Sequence, residues 1–312
     1  MHQESPDRRR LLRLAAATAT TLWLPRSAWS RTRLTQDPFA LGVASGAPTD
    51  DGVVLWTRLV FDTPQRRALT LRWEIAHDEG FTRIARSGQV QATPELGHTV
   101  HAEVEGLEPD RWYHYRFMLG EAVSPVGRTR TFPRPDASPK RLRLGYASCQ
   151  RWEHGYYAAW RHMRAEQLDA VMFLGDYIYE YPGAAHAVRA VTGGWVRTLD
   201  EYRDRYALHK SDADLQAMHA ACPWLPTWDD HEVQNDYAGL HEGTGVPVLG
   251  TVENFAARRA AAYQTWYEHM PVRSTVLTQA LAGLAQGAEL RIYQQVPFGR
   301  LATLHLLDGR QY

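Results

Sequence analysis

The sequence predicts a mixed α+β fold in which an N-terminal β-sandwich is followed by a layered α/β domain. Two changes of pattern along the 312 residues support this division. Up to about Phe132 the apolar residues recur in short β-type runs, and after Lys140 strand-like runs alternate with a helical stretch. Between the two, residues 133–139 contain three prolines, which favour an extended linker. We therefore place the sandwich at residues 36–133 and the second domain at residues 140–312.

Short segments bounded by turn residues support the sandwich. Each is β-branched, aromatic or alternating in polarity, and they are Val53–Thr57, Leu69–Ile75, His98–Val104 and Trp112–Leu119. The segment Leu107–Tyr113 resembles the tyrosine corner of fibronectin-like sandwiches, in which a tyrosine hydroxyl hydrogen-bonds to upstream backbone. We therefore expect a fibronectin-like sandwich in which Tyr113 makes that contact.

Strand, helix and strand follow one another in the second domain. Leu142–Ala147 and Leu168–Leu174 are apolar runs typical of buried strands, and His154–Gln167 has helical spacing. This order predicts a βαβ unit, whose parallel strands end at one edge of the sheet, where ligands collect. A third apolar segment, Trp224–Trp228, is expected to reach the same edge. Further along we expect a helix at Glu253–Met270 and a hairpin of Leu290–Val296 and Leu301–Leu307, turned at Pro297–Gly299.

The N-terminus has the three parts of an export signal. The basic segment Arg8–Arg13 precedes an apolar stretch, Leu14–Leu24, that is too short for a ~20-residue membrane span. Ala28–Ser30 then supplies a small-x-small end. The leading arginine pair resembles a twin-arginine signal, although Asp7 stands where Ser or Thr is usual, and an ordinary secretory signal is the alternative. We expect residues 1–30 to be a signal peptide, the twin-arginine export machinery to be a partner, and the mature protein to be periplasmic or secreted.

Net charge and cysteine content argue against some classes of partner and against a disulfide-based fold. The 35 basic and 35 acidic residues cancel, so the composition indicates no nucleic-acid-binding patch and no attraction to an anionic membrane. Cys149 and Cys222 are the two cysteines, which is too few for a disulfide framework. A single bridge between them stays open, and the sequence contains no signal of oligomeric state.

Residues suited to metal binding follow each of the three predicted strands of the second domain. The candidates are Cys149 after the first strand, Asp176 and Tyr179 after the second, and Asp229, Asp230 and His231 after the third. A carboxylate and a phenol three residues apart can both bind one hard cation such as Fe(III). Because parallel strands end at one edge, we expect these side chains to gather there and to hold a metal pair. The alternative for Asp176 is a buried carboxylate that caps a turn beside stacked aromatic residues.

Such a set of side chains suits the hydrolysis of phosphate esters. A phosphate ester resists attack by hydroxide because both are anionic. Two cations can hold the attacking and leaving oxygens and lower the pKa of a bound water to about 7. A nearby imidazole can bind a phosphate oxygen or protonate the leaving group.

The motifs Ala147–Gln150, Gly175–Glu180 and Trp228–Glu232, in this order, resemble the PhoD-like alkaline phosphatase family of metallophosphatases. The earlier segments Leu41–Gly46 and Asp51–Arg58 resemble the leading part of the same family. The resemblance implies that the second domain is the first part of a metallophosphatase α/β/β/α sandwich. It also implies a secreted phosphomonoesterase and phosphodiesterase, active at alkaline pH, that uses Fe(3+) and Ca(2+) and takes small or polymeric phosphate esters.

The resemblance also implies a role for each candidate residue. Cys149 and Tyr179 would ligate Fe(III), and Asp176 would bridge the ions. Asp230, alone or together with Asp229, would bind the second metal, and His231 would lie against the substrate phosphate. The preference for Asp230 rests on its place just before the histidine, as in the Asn-His pair of related metallophosphatases.

One departure from the family concerns the end of the chain. Metallophosphatases of this kind need a later Gly-Asp-x-His segment for further ligands, and this sequence contains none, so we expect an incomplete catalytic domain. Two alternatives stay open: a catalytically inactive fragment that acts as a β-sandwich binding protein, and a purple-acid-phosphatase-like enzyme. Cys149 argues against the second, because that family has an Asp-x-Asp or Asp-x-Gly first motif.

Overall fold

The computed structural model describes residues 37–63, 65–244, 251–277 and 290–312. It shows a mixed fold of β-sheets and helices, as the sequence predicts. The predicted signal peptide, residues 1–30, lies outside the described residues. Within the described ranges, no helix has the length and apolar character needed to cross a bilayer.

The N-terminal half consists of antiparallel strands in two sheets. They are β1 (Val43–Gly46), β2 (Val53–Arg58), β3 (Leu69–Ala76), β4 (Ile84–Ala92), β5 (Thr99–Val104), β6 (Trp112–Leu119), β7 (Ala122–Val123) and β8 (Gly127–Arg130). One sheet contains β5, β2 and β1, and the other has the order β4-β3-β6-β7, with β8 also paired to β6. β6 buries Tyr113, Tyr115 and Phe117 and leaves the residues between them partly exposed, which is the period of a half-buried strand. These rings pack with Leu55 of β2 and Ile75 of β3 in one core.

The turn before β6 contains the predicted tyrosine corner. The backbone N–H of Glu108 donates a hydrogen bond of 2.9 Å to the hydroxyl of Tyr113. Tyr113 is buried, so this bond satisfies the polar end of a ring that otherwise lies in the apolar core. The contact expected from the sequence is confirmed.

The second half is built on three parallel strands: β9 (Leu144–Ala147), β10 (Ala170–Phe173) and β11 (Trp224–Pro226). β10 lies in the middle, and its Phe173 is opposite Ala147 of β9 and Pro226 of β11. The three strands therefore end at the same edge of the sheet. The parallel arrangement expected from the strand–helix–strand order is confirmed.

Helices surround these strands. The described residues include α1 (Ala158–Ala165), which connects β9 to β10, α2 (Leu199–Lys210), α3 (Ala213–His219) and α4 (Val252–His269). α2 begins with a capping box between Thr198 and Glu201. The predicted helix His154–Gln167 is wrong at its start: residues Trp152–His154 form a separate 3-10 turn, and an extended Gly155 interrupts the path before α1 begins.

A hairpin of β12 (Gln294–Phe298) and β13 (Ala302–Leu306) completes the described structure. The predicted turn at Pro297–Gly299 is wrong, because β12 continues to Phe298 and Pro297 is paired with Thr303. A two-stranded hairpin consists of edge strands, which tolerate a proline. The turn instead begins at Gly299, whose left-handed φ of 54° suits a glycine.

One feature of the sheet was not expected from the sequence. β1 pairs in parallel with β11 at Gly46 and Trp224, which joins the two halves into a six-stranded sheet of order β5-β2-β1-β11-β10-β9. A Cβ on Gly46 would lie 2.7 Å from the carbonyl oxygen of Trp224 and 2.3 Å from that of Pro271, so the close approach requires glycine. The division at residues 133–140 stays a prediction, and the sheet continues across it.

The main core of the second half is rich in aromatic side chains. Trp160 of α1 lies 5.1 Å from Trp224, and Phe173 stacks on Trp224 at 5.9 Å between ring centroids. Cys222 is buried in the same cluster, whereas Cys149 is exposed, and both are free thiols. The disulfide that the sequence left open is therefore absent.

Candidate metal centre

The site lies where β9, β10 and β11 end. The backbone N–H of Cys149 donates to the carbonyl oxygen of Gly175 at 3.1 Å, and that of Gln150 donates to the carbonyl oxygen of Asp176 at 3.1 Å. These bonds continue the pairing of β9 and β10 beyond the strands themselves. They bring two residues far apart in the chain, Cys149 and Asp176, side by side.

The backbone at these strand ends is strained. Cys149 and Asp176 have φ values of 57° and 59°, in the left-handed region that non-glycine residues rarely adopt. Gly175 has a φ of 108°, and a Cβ there would lie 2.3 Å from the backbone nitrogen of Asp229. The glycine therefore allows the loop after β11 to approach the loop after β10. Strain of this kind is typical of functional sites.

Asp176 is the centre of the cluster. Its Oδ2 accepts hydrogen bonds from the Cys149 thiol at 3.3 Å and from the Tyr179 hydroxyl at 3.1 Å. Its Oδ1 is buried and has no hydrogen-bond partner in the part of the chain that the structure describes. Burial raises the pKa of Asp176 above its ordinary value. A buried carboxylate oxygen without a partner, beside a thiol and a phenol, fits a site for a metal cation.

The loop after β11 completes the cluster and separates its two aspartates. Asp176, Asp230 and His231 each offer a ligand atom, and these atoms lie within 4.8 Å of one another. Asp229 instead accepts a hydrogen bond from Arg310 Nε at 2.5 Å, while Arg310 lies 3.5 Å from the nearer oxygen of Asp230. The structure thus groups Asp230, not Asp229, with the other candidate ligands.

Glu180 fixes the imidazole of His231. Glu180 is fully buried, and its Oε2 accepts a hydrogen bond of 2.8 Å from His231 Nδ1 while its Oε1 accepts one of 2.8 Å from the backbone N–H of Asn235. Burial alone would lower the pKa of His231, but the hydrogen bond to Glu180 and the charge of that carboxylate outweigh burial and raise it. Because Nδ1 is engaged, Nε2 is the nitrogen left to bind a metal or a phosphate.

Glu232, in the loop after β11, in turn binds the backbone of the loop after β10. Its Oε1 accepts a hydrogen bond of 2.6 Å from the backbone N–H of Tyr177, and its Oε2 accepts one of 2.9 Å from that of Asp229. Glu232 is buried, and burial, with the neighbouring charge of Asp176, raises its pKa to about 8. We refer to Glu180 and Glu232 as the carboxylate brace, since each belongs to one loop of the site and holds the backbone or ring of the other.

The motifs in the sequence indicate the candidate ligands, but they give no role to Glu180 and Glu232. Each of these carboxylates directly follows a candidate, Glu180 after Tyr179 and Glu232 after His231. An acidic residue directly after each of these candidate ligands was therefore the sequence signal that could have identified the brace.

Comparisons with known proteins show which family the chain resembles. A family model described as PhoD-like phosphatase matches residues 144–312, and one described as PhoD-like phosphatase, N-terminal domain, matches residues 25–133. A curated relative from Bacillus subtilis (strain 168), named alkaline phosphatase D, is 47% identical over 286 residues, which is 88% of this chain and 47% of that protein.

A solved structure described as the structure of PhoD superposes with a TM-score of 0.82 at 46% identity, and the match covers 90% of this chain and 54% of that one. The chain therefore spans about half the length of the relatives that it matches. Agreement of two family models, a curated relative and a solved structure over nearly the whole described region leads to one conclusion. The chain belongs to the PhoD-like phosphatase family.

Proposed function

We propose that this protein is an exported, metal-dependent phosphoric ester hydrolase with alkaline phosphatase and phosphodiesterase activity. The observation that carries the proposal is the buried Oδ1 of Asp176, which has no partner among the described residues and lies in a cluster with Asp230 and His231. The name of the Bacillus subtilis relative, alkaline phosphatase D, supports the same reaction class.

We assign the metal ligands by the chemistry of their donor atoms. Cys149 and Tyr179, which both contact Asp176, would bind Fe(III) through sulfur and phenolate oxygen. Asp176 would bridge two ions, and Asp230 would bind Ca(II), which prefers oxygen ligands. Asp229 has the weaker claim because its carboxylate is paired with Arg310. Metal ions held there supply Lewis acidity and lower the pKa of a bound water.

His231 is the residue that we assign to the phosphate. Its Nδ1 is bonded to Glu180, so Nε2 is available to donate a proton to a phosphate oxygen or to the leaving group. The raised pKa of His231 favours the protonated ring that such a role requires. Glu180 acts through His231 and is a positioning residue.

Metal analysis combined with two substrates tests the proposal. We expect the purified protein to retain iron and calcium and to hydrolyse p-nitrophenyl phosphate and bis-p-nitrophenyl phosphate at alkaline pH. Treatment with a chelator should remove both activities, and added metal should restore them. A folded protein that binds neither ion under these conditions would contradict the proposal.

The iron assignment has a spectroscopic test of its own. A phenolate bound to Fe(III) gives a visible charge-transfer band, which we expect in the iron-loaded protein and expect Tyr179→Phe to abolish. Tyr181→Phe is the matched control, because that ring lies 6.4 Å from Tyr179 but its hydroxyl is not a proposed ligand. A band that survives in Tyr179→Phe would show that another residue binds the iron.

Export is proposed from the twin-arginine-like segment. Replacement of Arg8 and Arg9 by lysine should leave the precursor in the cytoplasm, as cell fractionation and immunoblotting would show. Normal processing of that variant, combined with a block when the apolar stretch Leu14–Leu24 is interrupted, would instead indicate the ordinary secretory route.

A further inference from the structure

A row of aromatic rings leads outward from the candidate metal centre. The ring of Tyr179 lies 4.2 Å from the imidazole of His231, and the ring of Tyr181 lies 5.2 Å from the same imidazole. Trp195 then meets Tyr181 edge to face at 5.2 Å. We call Tyr181 and Trp195 the aromatic wall.

The aromatic wall is not part of the apolar core. Tyr181 and Trp195 are partly exposed, whereas the tyrosines and tryptophans of the core are buried. Partial exposure of two large rings in contact with each other, beside an imidazole that we assign to the phosphate, is the arrangement of a surface that receives a flat apolar group.

Arg151 adds a positive charge to this surface. The carbon atom at the centre of its guanidinium group lies 5.4 Å from the ring centroid of Tyr179 and 5.1 Å from that of Tyr181. Its Nε donates a hydrogen bond of 2.6 Å to the buried carboxylate of Glu153, which fixes the group in place. In the described ranges its two terminal nitrogens have no hydrogen-bond acceptor, so their N–H groups remain available to an anion.

A second arginine near the cluster is already paired. Arg310 donates a hydrogen bond to Asp229, and its Nη2 lies 3.5 Å from Asp230 Oδ1. Arg151, whose terminal N–H groups have no acceptor among the described residues, is thus a cation that can bind the anion, and guanidinium N–H groups bind phosphate oxygens in a bidentate manner. Aromatic rings next to such a cation bind a planar ring by stacking, independently of its polar substituents.

We propose that Arg151 and the aromatic wall form a substrate subsite that selects phosphate esters whose organic group is an aryl ring or a nucleobase. Arg151 binds the phosphate oxygens, and Tyr181 and Trp195 hold the ring. The inference rests on the proposed function, because it places the phosphate beside His231. It adds a preference for one class of ester that the metal ligands alone do not provide.

Two ligands that are not hydrolysed test the subsite. Phenylphosphonate and methylphosphonate carry the same anionic group and differ in the ring, and their binding to the metal-loaded protein can be measured by calorimetry. We expect phenylphosphonate to bind about tenfold more tightly, since an aromatic contact is typically worth a factor of about 2 to 12. Trp195→Ala and Tyr181→Leu should remove this preference and leave the affinity for methylphosphonate unchanged.

Variants of Arg151, and of a tyrosine remote from the subsite, complete the experiment. Arg151→Ala should weaken both phosphonates to a similar extent, and Arg151→Lys should restore part of the loss because the charge returns without the planar fork. Tyr146→Ala is the matched control: this tyrosine is 73% exposed on β9, and its removal should change neither affinity. Far-ultraviolet circular dichroism would confirm that the partly exposed positions tolerate substitution.

The outcomes separate this inference from the proposed function. Methylphosphonate binding without any preference for the phenyl compound would overturn the subsite and leave the proposed function standing. A preference that persists in both wall variants would also overturn it. If neither phosphonate binds to protein shown to contain its metals, the phosphate site itself is wrong, and the subsite is rejected with it.

Discussion

The β-sandwich and the candidate metal centre bury different kinds of side chain, although one sheet extends from the first region to the second. In the sandwich the largest side chains with less than 2% exposure are apolar or aromatic, such as Trp56, Tyr115 and Phe117. At the strand ends of the other half the buried side chains include a charged or titratable group: Asp176, Glu180, Asp230, His231 and Glu232 are all less than 9% exposed. Burial of apolar area stabilises the first region. Burial of charge opposes folding in the second, which therefore depends on hydrogen bonds and, under the proposed function, on metal ions.

The difference also shows how each region is held in shape. Strand pairing and apolar contact dominate the sandwich, and the hydrogen bond between Glu108 and Tyr113 belongs to its corner. Among the described residues, no strand pairing joins the two loops of the candidate metal centre, and the carboxylate brace connects them through backbone N–H groups and one imidazole. The carboxylates that converge on the candidate metal centre are thus held in place by two further buried carboxylic groups, Glu180 and Glu232.

The strongest way to break this comparison is Asp176→Asn. We expect phosphatase activity to fall by about a thousandfold or more, because the bridging charge is lost and a bound metal contributes several kcal/mol to such reactions. The metal-free variant should be at least as stable as the parent protein, because a buried carboxylate with an unpartnered oxygen is replaced by a neutral group. Steady-state kinetics and urea denaturation in the presence of a chelator measure the two effects. Near-normal turnover would show that Asp176 is not the bridging ligand.

The converse substitution is Leu55→Ala in the sandwich. Leu55 is fully buried, so truncation should lower the free energy of unfolding by about 2–5 kcal/mol. Metal affinity per folded molecule should stay unchanged, as calorimetry below the unfolding temperature would show. A loss of metal affinity would reveal that the shared sheet, through β1 and β11, couples the two regions more closely than their side chains suggest.

A substitution in the carboxylate brace should have a smaller effect, and this effect is on metal affinity. Glu232→Gln keeps the shape of the side chain, but its amide nitrogen cannot accept from the backbone N–H of Tyr177 or Asp229. We expect metal affinity to fall by about 10- to 100-fold, the usual range for partners of metal ligands. Glu74→Gln is the matched control, because Glu74 pairs with Arg116 in the sandwich. Equal affinity in Glu232→Gln and the parent protein would limit Glu232 to a structural role.

The sequence predicted the parts of this comparison that follow from strand order. Cys149 and Asp176 were expected to meet because parallel strands end at one edge, and the structure places them 3.3 Å apart, from Sγ to Oδ2. The tyrosine corner was predictable because its donor and acceptor are five residues apart. Contacts of this kind follow from strand order and from short spacing along the chain, and both can be read from the sequence.

Contacts between distant segments were not predictable in the same way. The sequence favoured Asp230 over Asp229 only through the resemblance to related metallophosphatases, and the pairing of Asp229 with Arg310, 81 residues away, had no local signal. The pairing of β1 with β11 joins Gly46 to Trp224 without any local signal, and it extends one sheet across the predicted domain boundary. The roles of Glu180 and Glu232 depend on which loop lies opposite each carboxylate, which the fold decides.

The smallest predicted effect concerns Lys210, which lies between the two regions. Its ammonium group is 4.2 Å from the ring centroid of Trp56 in β2 and 5.4 Å from that of Tyr177, next to Asp176. Burial lowers the pKa of Lys210 to about 7. Between that value and the ordinary value of 10.5 the unfolded chain carries a proton on Lys210 that the folded chain releases, so stability should rise with pH. From about pH 8 to about pH 9.5 the contribution is about 2 kcal/mol.

Comparison with Lys210→Met isolates the contribution of Lys210 to the pH dependence of stability, because the other groups titrate equally in both proteins. Urea denaturation at the two pH values should show that the difference in unfolding free energy between the variant and the parent protein shrinks by about 2 kcal/mol as the pH rises. The variant should be the more stable protein at the lower pH, where the parent protein must neutralise a buried ammonium to fold. A difference that does not change with pH would mean that Lys210 stays protonated in the folded state, held by an anionic or hydrated environment. In that case Lys210 would belong to the charged surroundings of the candidate metal centre and not to the apolar core of the sandwich.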